Sequence, residues 1–242
     1  TTVTVKTLFA KSIDESGWLL VKLEPSGQRI ALCEFTKVAI TKEDTRVHFL
    51  ILEGRYKGKA ASLSKENKAR CLVDVKRGSG AKLTAKIIGR KEERSVVRSD
   101  GRLYNQLWAT LSFDGKTARI TLDSDVDFRE ENPLSPYQGQ IRHSAPLPKG
   151  TYKIKTPEAA GKEEYTSFYV TRPGGYPGLK YHTVWFGVDY AGNYYSSFVH
   201  VGNISEGCVT TYQLEMWNPL YLYLISNRSD PEGKYVGTIT IE

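Results

Sequence analysis

Short alternating segments separated by turn residues recur along this chain, and they constrain its fold more than any other feature. Seven segments of residues 1–98 have this pattern: Val3–Phe9, Trp18–Leu23, Arg29–Phe35, Arg46–Glu53, Lys59–Leu63, Cys71–Val75 and Lys82–Ile88. Turn residues such as Pro25-Ser26-Gly27 separate them. Regular short strands with little helical periodicity predict a small β-barrel or sandwich over residues 1–98.

The region from residue 101 to residue 242 is also predicted to be mainly β, but it contains one or two short helices near its end. Asp114-Gly115 lies between two alternating runs and is a strong hairpin signal. The proline-containing segment Asp123–Gly150 predicts a long ordered loop. Asn218-Pro219 predicts the start of a helix. Further strands are predicted over Leu103–Phe113, Thr117–Leu122, Thr151–Lys155, Thr166–Thr171, Thr183–Val188, Tyr195–Val201 and Tyr235–Ile241.

Charge is divided unevenly along the chain. Residues 1–100 contain 21 Lys+Arg and 12 Asp+Glu, whereas residues 101–242 contain 13 and 15. We therefore expect a basic accessory domain at 1–98 and a second domain at 101–242, joined by a charged connector over Gly89–Gly101. The basic surface fits an anionic polymer or a protein partner, or it is a well-solvated β-surface. Nucleic acid is the weaker partner, because the sequence contains no RNA-recognition or helix-turn-helix motif.

Several classes of protein are disfavoured by features that the sequence lacks. No run approaches the roughly 18 apolar residues of a transmembrane helix. No signal peptide is visible at residues 1–6, but the sequence also lacks an initiator Met, which leaves export open. The three cysteines form no CxxC pair and the four histidines form no HExxH motif, so we expect no metal and no cofactor. Cys33 and Cys71 lie among apolar neighbours and are predicted to be buried, which leaves Cys208 as the candidate reactive thiol.

The segment from Phe198 to Thr210 carries the candidate chemistry. A strand delivers His200, a glycine-containing loop follows, and Gly207 precedes Cys208. Because the thiolate is the attacking species, the chemistry needs an adjacent imidazole that takes the thiol proton and later protonates the leaving amine. Gly207 would let a substrate carbonyl approach backbone N–H groups that stabilise an oxyanion. A lone His and a lone Cys are more often structural, so their spacing alone leaves the dyad open.

This segment resembles the active-site signature of L,D-transpeptidase catalytic domains, in which a strand-borne His followed by Gly precedes a Ser-His-Gly-Cys turn. His200 and Gly202 match the first part, and Ser205, Gly207 and Cys208 match the second. The resemblance covers about residues 101–242. Other elements similar to that family are Pro146–Ile154, Leu107–Leu122, Trp217–Ser229 and Tyr235–Ile241.

The resemblance implies an L,D-transpeptidase-like β-sandwich that modifies peptidoglycan stem peptides through a thioester. Cys208 would be the nucleophile and His200 its base, with the backbone carbonyl of Val201 accepting a hydrogen bond from the imidazole and Gly207 opening the oxyanion site. An incoming amine would give transpeptidation, and water would give carboxypeptidase activity. The implied location is the cell envelope, the periplasm or outside the cell, and an antibacterial effector is one setting for such an enzyme.

The resemblance also assigns residues to substrate binding. Ser205 is expected to shape the turn or donate to the oxyanion, and Gly202, Tyr195 and His182 are expected to border the groove. Glu206 stands where the family usually has a second His. Its carboxylate would either orient a substrate amine or raise the pKa of the cysteine and mark a lost activity.

Two departures from the family pattern keep other functions open. The loop between His200 and Cys208 is shorter than in most members, and Thr210 stands where Arg or Asn is common. One alternative is a catalytically inactive module that binds wall peptides or a protein partner. Another is a structural or inhibitory protein that uses its basic N-terminal region on nucleic acid.

Overall fold

The computed structural model describes residues 5–229 and 231–242, so part of the strand predicted over Val3–Phe9 lies outside the described residues. Over the described residues the chain is mainly β, with a nearly closed, barrel-like sheet and three short α-helices. The strands form a seven-stranded, an eight-stranded and a two-stranded sheet. No helix within these two ranges is both long and apolar enough to cross a membrane.

The first sheet consists of antiparallel strands in the order β3-β2-β6-β5-β4-β1-β7. Its strands are β1 Thr7–Ala10, β2 Trp18–Leu23, β3 Arg29–Cys33, β4 Lys37–Glu43, β5 Arg46–Ile51, β6 Ala60–Ser64 and β7 Leu72–Val73. Helix α1, Lys68–Cys71, precedes β7. Alternation along the strands buries one face, for example Val47, Phe49 and Ile51 of β5.

Ten further strands and two helices follow. The strands are β8 Ala81–Arg94, β9 Leu103–Phe113, β10 Lys116–Thr121, β11 Asp127–Arg129, β12 Ile141–His143, β13 Gly150–Lys155, β14 Phe186–Gly187, β15 Phe198–Val201, β16 Val209–Thr211 and β17 Tyr235–Ile241. Helices α2 and α3 span Phe168–Thr171 and Trp217–Ser226. Strands β11 and β12 pair with each other, and the other eight form the order β13-β17-β8-β9-β10-β16-β15-β14.

The boundary between the two large sheets differs from the expected position at residues 98–101. The strand predicted over Lys82–Ile88 is part of β8, which pairs with β9 and β17 inside the second sheet. The change of sheet therefore falls between Val73 and Ala81. The charged end of β8 was expected to belong to a solvated connector. It continues the strand instead, because its backbone pairs with β9 while its charged side chains remain largely exposed.

Other differences follow from local composition. The strand predicted over Thr166–Thr171 is wrong: its aromatic and β-branched residues favour a strand, yet they form the short helix α2. Strand β4 was not predicted, because its second half is polar and exposed. The Asp114-Gly115 hairpin, a helix that contains Asn218-Pro219 and the strand over Tyr235–Ile241 are confirmed. Asn218 is not the N-cap, because the helix begins at Trp217 and the Asn218 side chain instead bonds the Lys180 N–H and the Gly178 carbonyl.

A buried polar cluster joins the first sheet to the region that follows α3. The Tyr221 hydroxyl donates to the Glu34 carboxylate at 2.7 Å. Arg228 donates to the Thr36 hydroxyl at 2.8 Å and to the Glu34 carbonyl at 3.3 Å. Arg228 also lies 3.5 Å from the buried Glu53 carboxylate. Glu34, Thr36 and Glu53 lie in loops of the first sheet, whereas Tyr221 lies in α3 and Arg228 in the loop that follows it. The cluster therefore holds these two regions together.

Candidate active site

The candidate dyad lies where two parallel strands meet a cleft. Strands β15 and β16 pair in parallel, with His200 opposite Thr210. Cys208 is the last residue before β16. His200 and Cys208 both line one cleft with a volume of about 690 Å³. The sheet thus brings together two residues that the sequence placed on one strand and one turn.

The imidazole of His200 is held on three sides. Its Nδ1 lies 2.9 Å from the carbonyl oxygen of Val201, which is the contact that the resemblance implied. A carbonyl only accepts, so in the neutral ring Nδ1 carries the proton and Nε2 is the basic atom. Nε2 lies 3.2 Å from the hydroxyl of Thr210, and Trp185 stacks on the ring at 4.1 Å. Burial lowers the pKa of His200 to about 4, so the ring is neutral at physiological pH.

The thiol of Cys208 is half-buried beside this ring. Its sulfur lies 4.0 Å from the carbonyl oxygen of Ser196. Burial raises the pKa of Cys208 to about 12. The charge of Glu206 contributes to the rise, and a hydrogen bond from the backbone N–H of Phe198 opposes it. Within the described part of the chain, the sulfur makes no hydrogen bond to His200, whose Nε2 is engaged by Thr210. The resting pair is therefore a neutral thiol and a neutral imidazole.

The turn before the cysteine is fixed by hydrogen bonds and by one glycine. The Ser205 hydroxyl donates to the Cys208 carbonyl at 2.6 Å and accepts from the Gly207 N–H at 3.2 Å. The Ser205 N–H donates to the Ser124 hydroxyl at 2.7 Å. Gly207 has φ +109°, and a Cβ there would lie 2.3 Å from the carbonyl oxygen of Ala145. Ser205 therefore shapes the turn, and Gly207 is required by the close approach of the backbone.

A buried polar network anchors the start of the same loop, and sequence reasoning missed its members. The Asn203 N–H donates to the Tyr169 hydroxyl at 2.8 Å, and Gln106 donates to the Asn203 carbonyl at 2.8 Å. Ser95 donates to the Asn203 side chain, and Arg98 donates to the Tyr169 hydroxyl at 2.9 Å. These residues lie far from the loop in sequence, and Ser95 and Arg98 fall in the segment predicted to be a charged connector, so no local pattern marked them.

The residues that were predicted to bind substrate do not all line this cleft. Gly202 and Glu206 line the cleft together with the dyad and Val201. His182 lies outside the cleft wall, but its Nδ1 lies 2.8 Å from the hydroxyl of Thr166, a wall residue. Burial lowers the pKa of His182. Tyr195 lines a second cleft of about 510 Å³, beneath the ammonium of Lys155 at 5.0 Å.

The rim of the cleft on the Glu206 side is acidic. Glu206 is exposed, yet partial burial against the wall raises its pKa, and the neighbouring carboxylates of Glu131 and Glu130 raise it further. Asp127 and Glu164 also line the cleft. Such a rim would attract a cationic group, for example an amine of a peptide.

Comparison with known proteins leaves the family open. No family model matches the chain. No curated protein and no solved structure matches it either.

The accessibility of the three thiols can be tested directly. In the folded protein we expect iodoacetamide to modify Cys208 faster than the buried Cys33 and Cys71. Because the pKa of Cys208 is raised to about 12, its thiolate fraction rises roughly tenfold for each unit by which the pH increases, up to that value. Peptide mapping after timed alkylation at pH 6–9 should show a rate that rises throughout. A plateau below pH 8 would contradict the raised pKa.

Proposed function

We propose that the chain is a cysteine-dependent peptidoglycan-modifying enzyme, an L,D-transpeptidase and/or L,D-carboxypeptidase that acts on stem peptides. The observation that carries the proposal is that His200, with Nδ1 held 2.9 Å from the Val201 carbonyl, opens into the same cleft as Cys208. In this proposal the region from β8 onwards, residues 81–242, supplies an L,D-transpeptidase-like β-sandwich. The basic region before it positions it on an anionic polymer or a protein partner.

The proposed reaction begins from the neutral pair. As the Cys208 sulfur attacks the peptide carbonyl, the thiol proton moves to Nε2 of His200, which must first leave its hydrogen bond with Thr210. The carbonyl oxygen becomes an oxyanion, which the Gly207 N–H would stabilise after leaving its hydrogen bond with the Ser205 hydroxyl. The tetrahedral intermediate collapses, the imidazolium protonates the departing amine of the terminal D-residue, and a thioester remains. Water or an acceptor amine then attacks the thioester, with neutral His200 again accepting the proton.

Acidic residues around the dyad would take part in substrate binding. The acidic rim at Glu206 would hold an amino group of the donor or the acceptor. No sequence or structural feature of the cleft selects water over an amine, so both activities belong to the proposal. The setting that follows is the cell envelope, the periplasm or the outside of a cell, and an antibacterial effector is one such setting.

A second candidate function is supported by the electrostatics of the same pair. A thiol with its pKa raised to about 12 beside an imidazole with its pKa lowered to about 4 disfavours a thiolate–imidazolium ion pair. A module of this kind would retain the cleft and bind wall peptides or a protein partner without cleaving a peptide bond.

The products formed from muropeptides separate the two candidates. Purified protein incubated with tetrapeptide- and pentapeptide-bearing muropeptides should release a terminal D-residue or form a new cross-link, as detected by mass spectrometry. Cys208→Ala should abolish both products. Cys71→Ala, at a thiol buried in the first sheet, should retain them. Binding without any product from the wild type would favour the binding module.

A further inference from the structure

Arg98 presents a cationic group to the cleft that holds the dyad. The residue is half-buried, and its guanidinium carbon lies 5.3 Å from the centroid of the Phe168 ring. Its Nη2 donates to the Tyr169 hydroxyl at 2.9 Å, and its Nε is buried without a hydrogen-bond partner. Across residues 5–229 and 231–242, Arg98 forms no ion pair. The nearby Asp100 carboxylate instead accepts from the Arg102 N–H and the Tyr104 hydroxyl.

The guanidinium is close to the reacting groups. Arg98 donates to the Tyr169 hydroxyl, which also accepts from the Asn203 N–H at 2.8 Å. A Cβ on Gly202 would lie 3.3 Å from that hydroxyl and 3.7 Å from Cε1 of His200. The Tyr169 hydroxyl and Gly202 therefore lie between the guanidinium and the imidazole. A group bound by Arg98 would lie in the same cleft as Cys208.

The cleft wall also contains carboxylates, among them Glu206 and Glu164. The charges that act on Glu206 are those of Glu131 and Glu130. The Glu130 carboxylate is paired with Arg142 at 2.7 Å. Arg98, in contrast, contacts the aromatic rings of α2. Arg98 therefore offers a cationic group in a cleft whose wall also contains carboxylates and Arg129.

We propose that Arg98 binds the free carboxylate of the substrate's terminal residue, the residue whose peptide bond Cys208 attacks. This inference rests on the proposed function and narrows its substrate class to peptides that end in a free carboxylate. A guanidinium matches a carboxylate in shape and charge, and the partial burial of Arg98 strengthens the interaction. The enzyme accordingly removes or exchanges terminal residues and does not cut within a chain.

The test compares a peptide with its carboxamide. Wild-type kcat/KM should be roughly tenfold to a hundredfold higher for a stem tetrapeptide with a free carboxylate than for the same peptide as a C-terminal amide. Arg98→Gln should lose this preference by lowering the rate on the carboxylate peptide alone. Arg172→Gln is the matched control, because Arg172 lies over the same Phe168 ring at 4.5 Å but does not line the cleft. An equal loss on both peptides would overturn the proposal, since it would show that Arg98 only supports Tyr169.

Binding measurements separate this inference from the proposed reaction. Calorimetry on Cys208→Ala, with and without Arg98→Gln, reports recognition of the two peptides without turnover. Tighter binding of the carboxylate peptide that depends on Arg98 would support the carboxylate site even if the wild type forms no product. Equal affinity for the two peptides would overturn the carboxylate site whether or not the wild type is active.

Discussion

Replacement of His200 by Gln is expected to lower the turnover of stem peptides by about a thousandfold. Glutamine preserves a polar side chain but cannot accept the thiol proton, and a positioned general base contributes roughly 10²–10⁴-fold. The need for a base is acute here, because the pKa of Cys208 is raised to about 12 and little thiolate exists without it. Initial rates of D-residue release by the wild type and by His200→Gln would measure the effect.

The same base predicts a distinctive pH profile. Because burial lowers the pKa of His200 to about 4, the imidazole stays neutral above that pH and becomes protonated below it. The activity that depends on the neutral ring should therefore be retained at pH 6 and lost as the pH falls through about 4.

The control for His200→Gln is His182→Gln, the same change at a histidine outside the cleft wall. A His200→Gln enzyme with more than a tenth of wild-type activity would contradict the assignment.

Replacement of Arg228 by Met is expected to lower the free energy of unfolding by about 3 kcal/mol, because it removes several hydrogen bonds from a buried polar cluster while Glu53 keeps its ion pair with Arg77. Arg228 is almost fully buried, at 2% exposed, and lies 3.5 Å from the buried Glu53 carboxylate. It also donates to the Gly233 carbonyl at 2.7 Å and to the Thr36 hydroxyl at 2.8 Å. A methionine fills similar volume but cannot donate, so the Gly233 carbonyl keeps only the Thr156 hydroxyl as its donor and the Glu53 carboxylate loses one of its two arginine neighbours.

Urea unfolding followed by circular dichroism would measure this loss. The matched control is Lys116→Met, because Lys116 pairs with Asp114 at 3.5 Å with both side chains about half exposed. An exposed pair of this kind contributes at most about 1 kcal/mol. If the two substitutions had equally small effects, the cluster at Arg228 would not be what holds the two regions together.

The local elements of this fold followed from the sequence where pattern and turn chemistry agree. Asp114-Gly115 fixed a hairpin, and the Asn218-Pro219 pair marked a helix. Elements whose stability comes from distant partners were harder to predict. Strand β8 carries a charged half that suggested a connector, yet β9 satisfies its backbone. The segment over Phe168–Thr171 has strand-forming residues, yet it forms a helix whose buried Tyr169 is bonded to Arg98 and Asn203, distant in sequence.

The candidate site was likewise predictable from the sequence only where its residues are close along the chain. His200, Val201, Gly202 and Cys208 are close in sequence, so one strand and one turn were enough to group them. Their environment comes from elsewhere in the chain. Trp185 stacks on the imidazole, and Tyr169 and Arg98 support the loop from segments about 30 to 110 residues away from the cysteine. No local pattern marks such residues, because their role depends on tertiary packing.

The central claim is that Cys208 forms a thioester with a stem peptide, and the most direct measurement is the intact mass of the protein after brief reaction with a stem tetrapeptide and acid quenching. We expect a mass increase equal to the peptide without its terminal residue, mapped to the tryptic peptide that contains Cys208 and absent from Cys208→Ala. Bound peptide with no mass increase at Cys208, at any time from milliseconds to hours, would contradict the account and leave a binding module in its place.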